Sequence, residues 1–465
     1  MKLINNFLDK VEVEKIHSMT LRILSEVGVE IDCDDIVELF KKHGAKTEGN
    51  KVFIHEELFD KAMSTIPKEF ELYGRRGSIT VGGDSKIIAP VSGPLMVMEG
   101  NETRSNTAED FVKFQKLHHS STVMDVMNPN LIEPQDIDRE NVRNYQMAVC
   151  LKYSDKPMIG FTTSPKASID SINMAQEFYG CKENVVLGII SVISPLKYDG
   201  VMLEATKIYA EKNQPLMFAC CSSPGATSPT TLSGTVAVNN AEVLAGIVIS
   251  QLLRPGLPVL YGNTTGSCDM RFVSPAIGSV ETGLIIYAAA AMAKYYGIPC
   301  RTGGSLSDAK AVDWQAGVES TITMLPALMS TSNFILQSCG VMDSFNIISY
   351  EKFILDEQNI EMFLRMTKGF EVLDTEEEFE LVKEVGPGGA YIEEMHTFEN
   401  FRNEHYTPKM FNKEGYEVWQ NHGGLSVLEK ASLEVKRRLE EHVYVENTPE
   451  QEEVLNRYLG GYEIN

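Results

Sequence analysis

Residues 215–262 decide the fold that we predict for this chain. They read PLMFAC at Pro215–Cys220, continue through a helical pattern at Val236–Leu253, and end in PVLYG at Pro258–Gly262. A strand, a helix and a second strand in this order form the unit from which parallel sheets are built. Both apolar runs begin at a proline, which a strand tolerates at its first residue.

The same alternation extends in both directions, from about residue 86 to residue 340. Eight short apolar runs are predicted strands, at Lys86–Val91, Val123–Met127, Pro157–Thr162, Leu187–Ile193, Pro215–Cys220, Pro258–Gly262, Ile298–Thr302 and Asn333–Ser338. The helical segments between them are Ala108–His119, Arg139–Lys152, Glu204–Glu211, Val236–Leu253, Glu281–Tyr296 and Asp313–Met329. Eight strands with intervening helices predict an α/β fold, namely an eight-stranded parallel (β/α)8 TIM barrel. A ninth or a missing strand would favour an open, doubly wound sheet.

The regions on either side of the barrel, 86–340, have a different pattern. Residues 1–85 contain helical segments and then Phe70–Val81, which predicts strands around Gly77. Residues 341–465 begin with a loop-rich stretch and continue into helices rich in Glu and Lys. We expect an N-terminal helical and β extension and a C-terminal helical extension, both packed on the barrel.

Composition excludes several classes of function. The chain has 465 residues and a net charge of −23, from 42 basic and 65 acidic residues, which disfavours binding to nucleic acid or to an anionic membrane. No apolar run reaches the roughly 20 residues that span a bilayer, and Met1–Asn6 lacks the apolar core of a signal peptide. The eight cysteines show no CxxC and no zinc-ligand spacing. We therefore expect a cytoplasmic protein with reduced thiols and no metal site.

The stretch that carries the functional argument is Gly303–Lys310, which reads GGSLSDAK. It follows the predicted strand Ile298–Thr302, so it lies at the carboxyl end of the sheet, where barrel enzymes keep their active sites. The loops after the other strands are also small, polar and rich in Gly and Pro, although such loops are turn-forming in any case. No phosphate-binding glycine loop, HExxH motif or acid/base pair is present.

GGSLSDAK resembles the segment that carries pyrrolysine in trimethylamine:corrinoid methyltransferases, and Leu306 occupies the pyrrolysine position. Further strings strengthen the resemblance, which covers most of the chain: Asp313–Gly317 with Glu319, Asn240–Leu244, Tyr261-Gly262 with Asp269, and Gly278-Ser279 with Glu281. The resemblance implies a barrel that moves a methyl group from an amine to cobalt(I) of a separate corrinoid protein. No histidine stands in the Asp-x-His-x-x-Gly context of a corrinoid module, so we expect no cofactor on this chain. Related barrels imply a homo-oligomer.

With Leu306 at this position, the chain resembles the branch of the family that lacks pyrrolysine, whose known members act on betaine-type compounds. A quaternary ammonium is already cationic and leaves as a neutral amine, so it needs orientation rather than an adduct. Leu306 is compatible with such a substrate and can pack beside its methyl groups. Two alternatives remain, which are a non-catalytic quaternary-amine binding or regulatory protein and a methyltransferase for a different methyl donor.

A trimethylammonium group is usually held by aromatic faces. The candidates lie in or near predicted strand ends and the loop-rich segment, although each could equally be core packing: Phe161, Phe218, Tyr261, Phe345, Tyr350 and Tyr391. Asp308, Asp269 or Glu319 could attract the cation, and Asp308 could also cap a helix.

A carboxylated substrate needs a counterion as well. Gly386–Tyr391, followed by His396 and Arg402, resembles a segment of the non-pyrrolysine members. His396 or Arg402 could bind the carboxylate, and Arg is suited to a bidentate pair. Arg301 lies inside a predicted strand, where an unpaired charge is costly, so we expect an acidic partner such as Asp308 or Glu281.

Overall fold

The computed structural model describes residues 7–100 and 102–464. The hexapeptide Met1–Asn6, used above in the signal-peptide argument, lies outside these ranges. The N-terminal region contains three helices and five strands, with a π-helical turn at Ile23–Val27: α1 Lys10–Arg22, β1 Val29–Ile31, α2 Asp34–Lys42, β2 Lys46–Glu48, β3 Lys51–Phe53, α3 Glu56–Met63, β4 Glu69–Gly74 and β5 Gly77–Gly82.

The central region alternates strands and helices, as predicted. Its elements are β6 Ile87–Ile88, β7 Met96–Glu99, β8 Glu102–Ser105, α4 Ala108–Ser120, α5 Val142–Tyr153, β9 Met158–Ile159, α6 Pro165–Tyr179, β10 Val186–Val192, β11 Lys197–Tyr198, α7 Gly200–Glu211, β12 Leu216–Cys220, α8 Leu232–Leu253, β13 Val259–Asn263, β14 Ser267–Asp269, β15 Ser274–Ala276, α9 Val280–Tyr296, β16 Cys300–Gly303, α10 Trp314–Met329 and β17 Phe334–Leu336. The C-terminal region adds β18 Val341–Met342, β19 Ile347–Ser349, α11 Tyr350–Lys368, α12 Thr375–Val385, α13 Met395–Glu404, α14 Tyr416–Asn421, α15 Val427–Glu440 and α16 Pro449–Leu459, with 3₁₀ turns at Asp343–Phe345 and Tyr391–Glu393.

Seven strands form one parallel sheet in the order β6-β17-β16-β13-β12-β10-β9. Each neighbouring pair is parallel, as in the register of Phe218 with Tyr261 and of Arg301 with Phe334. Parallel neighbours require crossover connections, and helices supply most of them. The protein therefore has an α/β fold of the TIM-barrel-like type.

The predicted strand Val123–Met127 does not form a regular strand in this sheet. Met127 makes one isolated parallel bridge, to Met158, and the Asp125 amide donates to the Ile88 carbonyl at 2.9 Å. The Asp125 carboxylate takes the place of a backbone acceptor, because the Ile88 amide donates to its Oδ2 at 2.7 Å. A side chain that intercepts a ladder amide prevents continuous pairing at this position.

Side-chain parity separates the two faces of the sheet. Met217 and Leu260 share a core cluster with Phe70, Leu72 and Val81 of the β4–β5 hairpin, so this hairpin fills the face that the helices do not cover. The hairpin lies at the amino ends of the strands, since the Tyr73 amide donates to the carbonyl of Asn184, just before β10. The opposite end of the sheet, with the loop after β16, is left for a site.

One helix among the described residues, α8, is long and apolar enough to cross a membrane, with a mean hydropathy of 1.5 over its most apolar 18 residues. Most of that window, 83%, is buried inside the protein. The helix packs on β12 and β13 and is covered by α1, α3 and α9. It is therefore the central core helix of this fold.

The flanking regions contact the central region. A four-stranded sheet in the order β18-β19-β7-β8 joins the chain after residue 341 to the chain after β6, so the stretch expected to be loop-rich begins with strands. Helix α15 packs on α11 and α4, and α16 packs on α5 and α6.

Candidate functional site

The loop after β16 closes a small cavity at the carboxyl end of the sheet. Leu306 lies in its wall and is only 4% exposed. The cavity is lined by Asn263, Thr264, Thr265, Thr282, Ile286, Arg301, Gly303, Leu306, Gln337 and Phe345. Its volume is about 10 Å³, which holds roughly one water molecule. The structure therefore shows this site closed.

A buried ion pair supports the loop from below. The Lys352 ammonium contacts the Asp356 carboxylate at 2.6 Å, and the two side chains are 2% and 3% exposed. Lys352 also donates to the Ser305 carbonyl at 3.2 Å and to the Ser320 hydroxyl at 2.7 Å. Asp356 accepts in addition from the Gly340 amide at 2.8 Å. The residue just before Leu306 is therefore held by a charge that lies in the core.

Glu319 fixes the other side of the loop. Its Oε2 accepts from the Ser307 hydroxyl at 2.8 Å and from the Asp308 amide at 2.7 Å. The Leu306 amide donates to Oγ1 of Thr323, one helical turn further along α10, at 3.0 Å. Glu319 was considered for attraction of the cation, and its contacts are those of a residue that positions the loop.

Asp308 joins three loops. Its carboxylate accepts from the backbone amides of Ile277 at 3.0 Å and Gly278 at 2.9 Å, and from the Ser344 hydroxyl at 2.5 Å. Ile277 and Gly278 precede α9, and Ser344 belongs to the 3₁₀ turn after β18. The half-buried Asp308 carboxylate therefore holds the Leu306 loop against the segment that covers the cavity.

That covering segment, Asp343–Phe345, has an unusual backbone. Seven non-glycine residues of the described chain have a positive φ, and three of them are consecutive in this turn: Asp343, Ser344 and Phe345, with φ of 48°, 52° and 76°. A fourth, Gln337, also lines the cavity and has a φ of 66°. Bulky side chains seldom adopt this conformation, and such strain concentrates at functional sites. The turn is tied to the Leu306 loop by the Asp343 amide to the Ala309 carbonyl, at 3.1 Å. Half-buried Phe345 lines the cavity from this turn.

Arg301 lies in the wall of the same cavity, in β16, and is 2% exposed. Its Nη1 donates to the Asn263 carbonyl at 2.8 Å and to the Thr264 hydroxyl, while its Nε has no hydrogen-bond partner. Burial lowers the pKa of the guanidinium to about 10. The expectation of an acidic partner is wrong, because Asp308 binds backbone amides instead and no carboxylate in residues 7–100 and 102–464 forms an ion pair with Arg301.

Three of the candidate aromatic residues face helices rather than the cavity. The Phe218 ring lies beside Gly246 of α8, where an added Cβ would be 2.3 Å from it. The Tyr261 hydroxyl accepts from Nδ2 of Asn239 in the same helix at 3.3 Å. The Phe161 ring lies under the Arg143 guanidinium of α5, at 5.4 Å. The parity of Phe218 and Tyr261 in their strands points these two side chains away from the cavity, whereas Phe161 follows the end of β9 and is placed by its contact with Arg143.

The remaining candidates also lie apart from it. Tyr350 is buried between α11 and α4, where its hydroxyl donates to Asp110 at 2.8 Å and its ring stacks on Phe114 at 4.2 Å. Tyr391, His396 and Arg402 belong to an exposed segment, and the Arg402 guanidinium lies over a neighbouring ring. Of the aromatic candidates, the structure brings only Phe345 to Leu306.

Glu242 is a buried carboxylate that was not among the candidate residues predicted from the sequence. It is fully buried in α8 and accepts from the Ser194 hydroxyl at 2.8 Å, the Leu196 amide at 2.9 Å and the Ser222 hydroxyl at 3.1 Å. It therefore fixes the loops after β10 and β12. An acidic residue within an otherwise apolar helix is the sequence signal that could have found it.

The structure contains one group of potential metal ligands among its described residues, formed by Cys33, Asp35 and Glu204 near the N-terminal region. The Lys207 ammonium already contacts both carboxylates, at 2.8 Å and 2.9 Å. A cation is thus supplied by the chain itself, and this cluster lies outside the cavity.

A TIM-barrel-like sheet with a cavity among the loops at its carboxyl end is the architecture of barrel enzymes. The family model of trimethylamine methyltransferase (MTTB) matches residues 3–460, and the chain belongs to this family. A glycine betaine methyltransferase of Desulfitobacterium hafniense is 37% identical over 93% of this chain and 90% of its own length.

Two relatives from Eubacterium limosum are similar to nearly the same extent. They are a proline betaine:corrinoid methyltransferase, 36% identical over 96% of each chain, and an L-carnitine:corrinoid methyltransferase, 35% identical over 97% of this chain and 96% of its own. Trimethylamine methyltransferase of Methanosarcina barkeri is more distant, 27% identical over 82% of this chain and 80% of its own.

The crystal structure of the monomethylamine methyltransferase of Methanosarcina barkeri superposes with a TM-score of 0.55 at 15% identity. It covers 96% of this chain and 90% of that chain. This likeness supports the fold alone.

Proposed function

We propose that this protein moves an N-methyl group from a betaine-type quaternary amine to cobalt(I) of a corrinoid carried by a separate protein. The observation that carries the proposal is Leu306, an inert side chain buried in the cavity at the position where similar enzymes carry pyrrolysine. Relatives at 35–37% identity over nearly the whole chain are named for betaine substrates.

The reaction needs little chemistry from the protein. The N–CH₃ bond breaks with its electron pair left on nitrogen, so a neutral tertiary amine leaves, and the methyl group goes to the cobalt(I) nucleophile of the partner. Leu306 and Phe345 supply a water-poor wall beside the methyl groups, and the aromatic face adds roughly 0.5–2 kcal/mol of attraction for the cation. Holding the donor in line with its acceptor is the main contribution to the rate.

Entry of the substrate requires the cavity to open. A space of about 10 Å³ cannot hold a betaine, so Phe345 and its turn must move on binding. The contacts that hold the turn closed are polar and include Ser344 to Asp308, Ser307 and Pro275, and Asp343 to Lys310 and Ala309. Closure of such a turn over the bound amine would also exclude water from the reaction.

The corrinoid protein docks at the mouth of this site in our proposal. The β14–β15 hairpin follows β13 at the carboxyl end of the sheet, and it exposes Met270, Phe272 and Val273 by 54%, 75% and 68%. Exposed apolar side chains clustered at one place favour a protein-binding surface. The cofactor then stays on the partner, and this chain holds only the amine.

Residues 123–127 close the sheet into a barrel in this proposal. They lie between β6 and β9, the two outer strands, through the contacts of Asp125 with Ile88 and of Met127 with Met158. Val126 belongs to the same interior cluster as Ile159 and Met217. This eighth, irregular segment fills the gap that the seven regular strands leave between β6 and β9, as a closed barrel requires.

A homo-oligomer would cover the exposed apolar side chains of the C-terminal region, and we propose that the protein forms one. Helices α12, α13 and α14 bury no residue of their own, and eleven large apolar side chains of this segment are exposed: Val372, Leu373, Phe379, Val382, Tyr391, Ile392, Met395, Phe398, Phe401, Tyr416 and Val418. Helices of 6 to 11 residues are marginal alone, so they need a permanent partner, which a second copy of the chain provides. Sedimentation of the purified protein should give a multimer, and Ile392→Asp should dissociate it. A monomer that assembles only with the corrinoid protein would assign this surface to that partner instead.

A methyl-transfer assay tests the function. Purified protein, a reduced cobalt(I) corrinoid protein and a panel of glycine betaine, proline betaine, carnitine and trimethylamine are followed by loss of the cobalt(I) absorption band. We expect transfer with at least one betaine and none with trimethylamine. Binding of a betaine by calorimetry without any transfer would refute the enzyme and identify a binding protein. Transfer from trimethylamine alone would refute the substrate class.

A further inference from the structure

The Arg301 guanidinium is a buried charge without an anion. It is among the largest fully buried side chains of the protein, and its partners are a backbone carbonyl and a hydroxyl, which are both neutral. Its Nε is buried and unpaired. The buried Lys352 below the same loop, by contrast, has the Asp356 carboxylate beside it. Arg301 therefore keeps an unneutralised positive charge inside the sheet.

Such an arrangement is costly unless a ligand compensates it. A desolvated charge needs a counterion, and an unmet donor needs an acceptor. Arg301 lies in the wall of the cavity that also contains Leu306 and Phe345, so its guanidinium borders the space that a ligand would enter. The planar fork of a guanidinium matches a carboxylate with two parallel hydrogen bonds.

We propose that Arg301 binds the carboxylate of the substrate. The inference rests on the proposed function and narrows it, because the substrate must then be a zwitterion with a carboxylate beside its quaternary nitrogen. The carboxylate is drawn inward to β16, and the methyl groups are directed outward, toward Phe345 and the mouth. His396 and Arg402, the residues considered for this role from the sequence, lie on an exposed segment away from the cavity.

The same charge gives selectivity. A quaternary ammonium without a carboxylate, such as choline, would bring a second positive charge into a cavity that already contains an unpaired one. Like charges in a dry site repel strongly, so Arg301 selects against simple cations while it selects for betaines. The protein should therefore discriminate glycine betaine from choline, although both carry the same trimethylammonium group.

Substitution of Arg301 tests the proposal. Transfer rates and affinities for glycine betaine, proline betaine, carnitine and choline are measured for wild type, Arg301→Gln and Arg301→Lys, with Arg457→Gln as a control at an exposed ion pair of α16. We expect Arg301→Gln to weaken binding of the carboxylated donor by about 10- to 150-fold, the range of one charged hydrogen-bonding partner. Choline binding should not weaken, and Arg301→Lys should recover part of the loss. An equal loss for choline and betaine, or no loss for betaine, would overturn the proposal.

A second measurement uses the wild-type protein and does not depend on whether the variants fold. The compound 3,3-dimethylbutyrate has the shape and carboxylate of glycine betaine but a carbon in place of nitrogen, and 3,3-dimethylbutanol lacks the carboxylate as well. Calorimetry should show that the acid binds and competes with glycine betaine, at least about 10-fold more tightly than the alcohol. Equal binding of the two would overturn the role of Arg301.

These measurements separate the two proposals. If no betaine is demethylated, the proposed function fails, and the binding of 3,3-dimethylbutyrate to wild type and Arg301→Gln still decides whether Arg301 holds a carboxylate. If a betaine is demethylated and Arg301→Gln keeps full affinity for it, the function stands and the assignment of Arg301 fails.

Discussion

Replacement of Lys352 by methionine should destabilise the protein strongly and loosen the Leu306 loop. Lys352 and Asp356 are 2% and 3% exposed, and their charged atoms are 2.6 Å apart. Removal of the ammonium leaves the Asp356 carboxylate buried with only neutral donors, the Gly340 amide and the Ser320 hydroxyl. An uncompensated charge of this kind costs about 3–5 kcal/mol of unfolding free energy. Part of that cost falls on the loop, because Ser305 loses its donor at the same time.

The matched double variant separates charge from packing. Lys352→Met combined with Asp356→Leu removes both charges, and apolar replacements of similar volume restore a buried pair to within about 2 kcal/mol of the original stability. Lys409→Met is the surface control, because Lys409 is 66% exposed in its pair with Glu361 and should cost at most about 1 kcal/mol. Denaturant titrations give all four free energies. The reasoning is refuted if Lys352→Met costs no more than Lys409→Met, or if the double variant is as unstable as the single one.

Three further predictions concern the cavity, its mouth and the response to acid. Phe345→Ala should raise the KM for the betaine by about 2- to 30-fold, as expected for loss of a cation–π contact, and should leave the KM for the corrinoid protein unchanged. An unchanged betaine KM in steady-state assays would show that Phe345 does not contact the substrate. Phe272→Asp should raise the KM for the corrinoid protein and leave betaine affinity in calorimetry intact, which would fail if the hairpin lies outside the interface. His118 is buried with both ring nitrogens unpaired, and desolvation lowers its pKa to about 3 from 6.5. Because the unfolded chain binds this proton more tightly, the free energy of unfolding should fall as pH drops from about 6.5 toward 3, by up to about 5 kcal/mol from this residue. His118→Phe should reduce that slope in acid titrations, whereas the exposed control His422→Phe should not.

The alternation of strands and helices was predictable because it depends on local pattern. Seven of the predicted strands are present in the parallel sheet, and the β4–β5 hairpin turns near Gly77 as expected. The segment Val123–Met127 was less predictable, since its irregularity depends on the Asp125 side chain reaching the Ile88 amide in another segment. Strands β7, β8, β18 and β19 were missed, because each has only 2 to 4 residues and the sheet that they form joins residues 96–105 to the distant residues 341–349.

The candidate site was harder to predict because it depends on side-chain parity. Phe218 and Tyr261 lie in the correct strands, one residue away from Met217 and Leu260, which face the other side of the sheet. A one-residue difference in a strand reverses the face, and strand bounds read from sequence are less accurate than that. Phe345 reaches the cavity from a turn whose positive φ values no pattern predicts.

The partner of Arg301 could not be predicted from the sequence either. The sequence predicts Arg301 in a strand, and the cost of a buried charge predicts a partner for it, but that partner was expected among the residues of the chain. The structure shows Asp308 engaged by Ile277, Gly278 and Ser344, so no carboxylate of the described chain reaches the guanidinium. A buried charge without a partner is a stability defect if the protein is considered alone. It becomes a specificity device if the missing anion arrives with the substrate, because the charge then stabilises only the complex with a carboxylated amine.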